Sequence, residues 1–191
     1  MPILTITSKW TWYVARSGGL VAWATCTASI VWGLLLSTRL VQRKGIPAWL
    51  LDLHRFLGTL TLAFTAIHLA GLAFDSYAPF GPSALFVPMA STWKPGPVAW
   101  GIVALYVLVA IEVTSWLMRR IPRRWWHAIH LSSVVLFLTS TVHAFTAGSD
   151  RMNLAVQWIA LVATMTVVFL TIVRVLSPRS TRAPAATSPT A

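Results

Sequence analysis

The sequence predicts an all-α protein built into a membrane, a bundle of about five transmembrane helices. Three observations predict it. The 191 residues are 57% hydrophobic and only 10% charged, whereas a soluble domain carries about 25% charged residues. Mean hydropathy is +0.71. The apolar residues fall in long unbroken blocks rather than alternating short runs, which favours helices over a membrane barrel because a helix satisfies its own backbone in lipid.

Each element follows from one block, since about 20 residues at 1.5 Å rise cross the hydrocarbon core. The blocks run approximately over 19–38, 51–74, 97–118, 127–147 and 153–176. The segment before the first contains Trp10, Trp12 and Tyr13, side chains suited to a membrane–water interface. No basic stretch leads there into a short apolar core and a cleavage site, so no signal peptide is expected. The connection at 75–96 is the longest and carries Pro79, Pro82, Pro88 and Pro95. With its SALFVPM stretch it is expected to dip into the interface, where it caps a cofactor, meets a partner or packs as a plain surface loop. Residues 1–176 form the expected bundle domain. Residues 177–191, polar and rich in Pro, Ser, Thr and Ala, are expected to be a disordered tail. No internal repeat of fixed period is visible.

The net charge of +11 does not indicate a nucleic-acid partner. The basic residues lie between the apolar blocks, where they orient a membrane protein. Eleven of the fifteen lie on one side: Arg39, Arg43, Lys44, Arg55, Arg119, Arg120, Arg123, Arg124, Arg174, Arg179 and Arg182. Lys9, Arg16, Lys94 and Arg151 lie on the other. The richer side is expected to be cytoplasmic, which puts the N-terminus outside, the C-terminus and its tail inside, and blocks two and four parallel. Cys26 is the single cysteine. It excludes an internal disulfide and a CxxC redox pair, and reads as a small buried helix residue.

All five histidines, His54, His68, His127, His130 and His143, fall in blocks two and four. Ionisable groups within spans are costly and are candidates for function. His54 and His68, 14 positions apart, lie within about 40° on one helix face, about 21 Å apart along the axis. His130 and His143, 13 apart, are separated by about 19.5 Å. The two ladders match in depth, so His54 is expected opposite His130 and His68 opposite His143. Opposed imidazoles from two helices can hold six-coordinate haem irons, one axial nitrogen from each side. On an ideal wheel, however, a 13-residue step leaves His143 about 140° from His130, so helix geometry alone does not align that pair. His127, one turn before His130, reads as a substitute ligand, a contact to a cofactor carboxylate or a polar boundary residue. Gly58 and Gly71, one turn after His54 and His68, either make room beside a macrocycle or serve ordinary helix packing. Arg55, Arg123 and Arg124 on one side, and Lys94 and Arg151 on the other, are cations placed to pair with haem propionates or simply to set topology. Glu112 and Asp52 are candidates to pair with an arginine or relay a proton.

The stretches LHRFLG and IHLAG, then HAIHLSS and TVHAFT, resemble the ferric reductase-like transmembrane domain over about residues 15–175. That superfamily takes in ferric reductases, NADPH oxidases and the haem-binding membrane subunit of the bacterial methionine sulfoxide reductase system. Its signature of histidines 14 and 13 apart on two helices is reproduced. The resemblance implies two b-type haems, one held by His54 and His130 and one by His68 and His143; by the charge argument above, Arg55 and Arg124 are the cofactor-binding cations expected beside the first. It also implies electron transfer across what is expected to be a bacterial plasma membrane. The chain departs from the ferric reductases and oxidases in lacking a Gly-rich dinucleotide fingerprint, and in having five apolar blocks where the family core commonly has six. The expected donor is therefore a flavoprotein or the membrane quinone pool, and the expected acceptor an extracytoplasmic redox partner. A quinone-linked cytochrome b, and a haem-binding sensor or transport protein without turnover, are the competing classes.

Overall fold

The structure, a computed structural model, describes residues 2–38, 48–75 and 80–177, with residues 2–8 as backbone only. The order of elements is α1 (Pro2–Ser37), α2 (Ala48–Ala73), the short α3 (Pro82–Phe86), α4 (Pro95–Trp116), α5 (Arg123–Leu131), α6 (Ser133–Ala147), a 3-10 turn (Ser149–Met152) and α7 (Leu154–Leu176). No strand occurs among the described residues. Five helical segments there are long and apolar enough to cross a membrane, α5 and α6 together forming one. The protein is an all-α membrane bundle. Residues 178–191 of the expected tail lie outside the described residues, as do Arg39, Arg43, Lys44 and Pro79.

Prolines and small polar residues set the boundaries. Pro95 opens α4 in its first turn and Pro122 caps α5, positions where a missing N–H costs nothing. Asn153 caps α7, its side-chain oxygen accepting from the N–H groups of Ala155 and Val156. Two boundaries differ from the sequence reading. α1 begins at Pro2 rather than near residue 19, so Trp10, Trp12 and Tyr13 lie within it, about two to three turns from its start. Gly18 and Gly19 mark a packing seam within the helix: a Cβ on Gly18 would lie 3.1 Å from the His68 backbone nitrogen. The long connection also contains α3, and its Phe80 and Leu85 are buried against Val98 and Ile102 of α4.

The bundle is organised as two tightly packed antiparallel pairs, α1 with α2 and α4 with α6, with α7 against α1. Small residues make the first pairing possible, as is usual where lipid removes the hydrophobic drive between helices. Ala15, Ala22, Cys26 and Ser29 are all buried along α1. A Cβ on Gly71 would lie 2.6 Å from the Ala15 backbone nitrogen. Thr61 of α2 donates to Thr25 of α1 at 3.0 Å. The mid-bundle core joins Cys26 and Ile30 to Leu108, Ile111, Leu136, Phe137 and Val167. Large apolar side chains such as Phe56, Phe74 and Phe169 point outward, as expected where the solvent is lipid. By contrast, α2 stands off from α5 and α6, with few backbone approaches between them. The site lies across that gap.

Candidate functional site

Four histidines meet across the gap in two pairs. The rings of His54 and His130 have centroids 5.9 Å apart, and those of His68 and His143 6.3 Å apart. All four are half-buried, whereas His127 is exposed. An imidazole nitrogen lies about 2 Å from a bound metal, with its ring centre about 1 Å behind it, so two axial imidazoles on one ion have centroids about 6 Å apart. Both pairs have that spacing.

Each imidazole is oriented through its other nitrogen. His54 Nδ1 is 3.0 Å from the Ser29 carbonyl oxygen. His68 Nδ1 is 2.6 Å from that of Ala15, and His143 Nδ1 is 2.9 Å from that of Pro97. A carbonyl only accepts, so Nδ1 carries the proton in these three and Nε2 keeps its lone pair. His130 Nδ1 is 3.5 Å from the Ser115 hydroxyl oxygen. This is the arrangement of metal-ligating histidines, in which the second nitrogen fixes tautomer and ring angle.

The neighbouring helices are hollowed to seat the rings. A Cβ on Gly19 would lie 2.9 Å from His68 Nδ1, one on Gly33 3.0 Å from His54 Cε1, and one on Gly101 2.7 Å from the His143 ring. Gly19 and Gly33 are 14 residues apart, the same interval as His54 and His68, because antiparallel partners advance in step. Gly101 and Ser115 play the same part on α4. Sequence reasoning passed over these residues; the signal was the repeat of the histidine interval in the preceding helix. Gly58 and Gly71 do not border the rings. Gly58 makes room for the Glu112 carboxylate, and Gly71 for the Ala15 backbone, whose carbonyl holds His68.

The fourth span is not one continuous helix between His130 and His143. α5 ends at Leu131 and α6 begins at Ser133. At Ser132 the backbone has ψ of −2°, and its N–H donates to the Ile129 carbonyl, an i to i−3 bond of 3.0 Å. A tighter turn advances more degrees per residue than an α-helix, so an ideal wheel does not describe the span.

A cavity of about 320 Å³ includes His68 and His143 in its lining. Leu69, Leu105, Leu108 and Leu136 give it apolar walls, and Phe80, Leu85 and Trp93 from the 75–96 connection reach it. Arg16, Asp150 and Arg151 also line it. Arg16 Nε donates to Asp150 at 2.7 Å, and a second guanidinium nitrogen donates to the other carboxylate oxygen, tying α1 to the 3-10 turn. Of the expected cationic partners, Arg55 pairs with Asp52 at 3.5 Å, both largely exposed. Arg124 lies over the Trp125 ring, and neither arginine lines the cavity. Lys94 reaches the Thr146 carbonyl.

At the other pair, Trp126 stacks on His130, centroids 5.1 Å apart and planes 25° apart. Its Nε1 is the one buried side-chain nitrogen or oxygen among the described residues without a hydrogen-bond partner. Such a vacancy costs about 1–3 kcal/mol.

The donor set and the ring spacing of both pairs fit haem iron, as do the carbonyl-fixed tautomers of His54, His68 and His143, and a cavity lies beside the His68–His143 pair. No group of three or more metal-ligating side chains exists among the described residues. No curated protein and no solved structure matches the chain. The family model described as the ferric reductase-like transmembrane component matches residues 18–141, a segment that holds His54, His68 and His130 and ends shortly before His143. With that match covering most of the bundle, the chain belongs to the ferric reductase-like transmembrane component family.

Proposed function

We propose that this protein is the membrane electron-transfer subunit of a ferric reductase-like oxidoreductase system, holding two b-type haems at two depths. The observation that carries the reading is the pair of facing imidazole sets whose Nδ1 atoms are engaged by the neighbouring helices. Haem iron, alternating between ferric and ferrous states, supplies the one-electron chemistry. His54 and His130 hold one haem, His68 and His143 the other. The carbonyls of Ala15, Ser29 and Pro97 keep three imidazoles in the ligating tautomer. Leu69, Leu105 and Leu136 keep water from the His68–His143 site. Arg55 and Arg124 supply positive charge near the His54–His130 site, and Arg16 near the other.

The basic residues support an orientation with the His54–His130 pair toward the cytoplasm. Reducing equivalents then arrive from a flavoprotein or the quinone pool and leave to an extracytoplasmic acceptor. The test is haem stoichiometry. Wild-type protein is expected to give two haems per chain in a pyridine haemochrome assay, and His68→Ala and His143→Ala one each. Wild-type haem content in both variants refutes the ligand assignment.

A further inference from the structure

Trp126 is set apart by two independent observations. Its ring lies nearly parallel to that of His130, so it backs the imidazole that faces His54. Its indole N–H is buried and lacks an acceptor, while every other buried side-chain nitrogen and oxygen among the described residues has a partner. Buried donors are almost always satisfied, and one left over points to an absent acceptor. The indole N–H only donates, so what it meets must carry lone pairs. The charge around it favours an anion. Arg123 and Arg124 stand in the same first turns of α5, and neither forms an ion pair among the described residues. The neighbouring His127 ring, 6.2 Å away, brings no carboxylate.

We propose that Trp126 anchors the haem of the His54–His130 site, its indole N–H donating to a carboxylate oxygen of the porphyrin while its ring face holds the His130 imidazole in place. The inference rests on the haem reading above and deepens it. It assigns one tryptophan two jobs at one site. At the other, among the described residues, Trp12, Trp23 and Trp93 line the cavity with Arg16 and Arg151, but none of these tryptophans stacks on His68 or His143. Loss of the donor leaves the carboxylate more negative, which favours the ferric state and lowers the midpoint potential of that haem alone.

The experiment uses the haem-loaded protein and compares wild type, Trp126→Phe and Trp126→Leu by redox titration and by the rate of haem transfer to apomyoglobin. Trp126→Phe keeps the ring and removes the N–H. It is expected to keep two haems, to lower one midpoint and to leave the other unchanged. Trp126→Leu is expected to release one haem several-fold faster as well. Midpoints and release rates equal to wild type in Trp126→Phe overturn the proposal. A second measurement needs no variant: the Trp126 indole N–H resonance is expected to move downfield on haem loading. If it moves instead on exchange of anionic for neutral lipid, the acceptor is a lipid phosphate and the proposal fails. Wild type without haem would sink the underlying reading, a result distinct from two loaded proteins with identical midpoints.

Discussion

His68, His54 and His143 each sit between two constraints: a carbonyl that fixes one nitrogen and a glycine that receives the ring. The glycine is as specific a requirement as the ligand. At Gly101 a methyl group would lie 2.7 Å from the His143 ring, so the ring must move or the helices must part. Gly101→Val is therefore expected to lose the His68–His143 haem while keeping the other, read as half the wild-type haemochrome signal. Retention of both haems would show that α4 can yield at that point. His127 differs from the other four in being exposed, with Trp126 its recorded ring neighbour, and nothing in the geometry turns it toward His54. Glu112 reaches into the space left by Gly58, one turn from His54; Asp52 is engaged with Arg55.

Among the elements, the fourth span is the most informative. It breaks at Ser132, between His130 and His143, and the two rings nonetheless face His54 and His68 of α2. An ideal-wheel argument would favour a 14-residue interval, matching α2. The structure implies the opposite. Inserting one alanine between Ser132 and Ser133 makes the interval 14, yet it turns α6 by about 100° relative to α5. The insertion is expected to abolish one haem site, measured as loss of one haem per chain. Wild-type stoichiometry in the insertion variant would mean that the break is incidental. α1 is the second informative element. It carries none of the paired histidines, but its row of small residues brings its carbonyls and glycines against α2. Much of the orientation of the α2 imidazoles is thus written in α1.

At the scale of the molecule, the two close pairs of helices leave a gap crossed by imidazoles. One end of the arrangement is bordered by the Arg16–Asp150 pair and by Phe80, Leu85 and Trp93. The proposed orientation, with the His54–His130 end toward the cytoplasm, rests on the charge distribution. Because Cys26 is buried, cysteines placed elsewhere report topology cleanly. Met89→Cys, on the connection, is expected to react with a membrane-impermeant maleimide in intact cells. Arg120→Cys is expected to react only after the cells are opened. The reverse pattern would invert the direction of electron flow proposed here.

The sequence alone determined the class of the protein, the number of spans and the identity of the paired histidines. These depend on local properties: block length against bilayer thickness, and residue interval against helical rise. Depth along an axis is nearly independent of packing, so His54 and His68 could be matched to His130 and His143 by counting. Azimuth is not independent of packing, and the tertiary structure decided it by bringing the rings of His130 and His143 to face α2. It also decided which carbonyl holds each ring, that Gly19, Gly33 and Gly101 rather than Gly58 and Gly71 seat the imidazoles, and that Arg16 with Asp150 borders the cavity. Those relations join helices far apart in the chain, and no local pattern specifies which faces of two helices will meet.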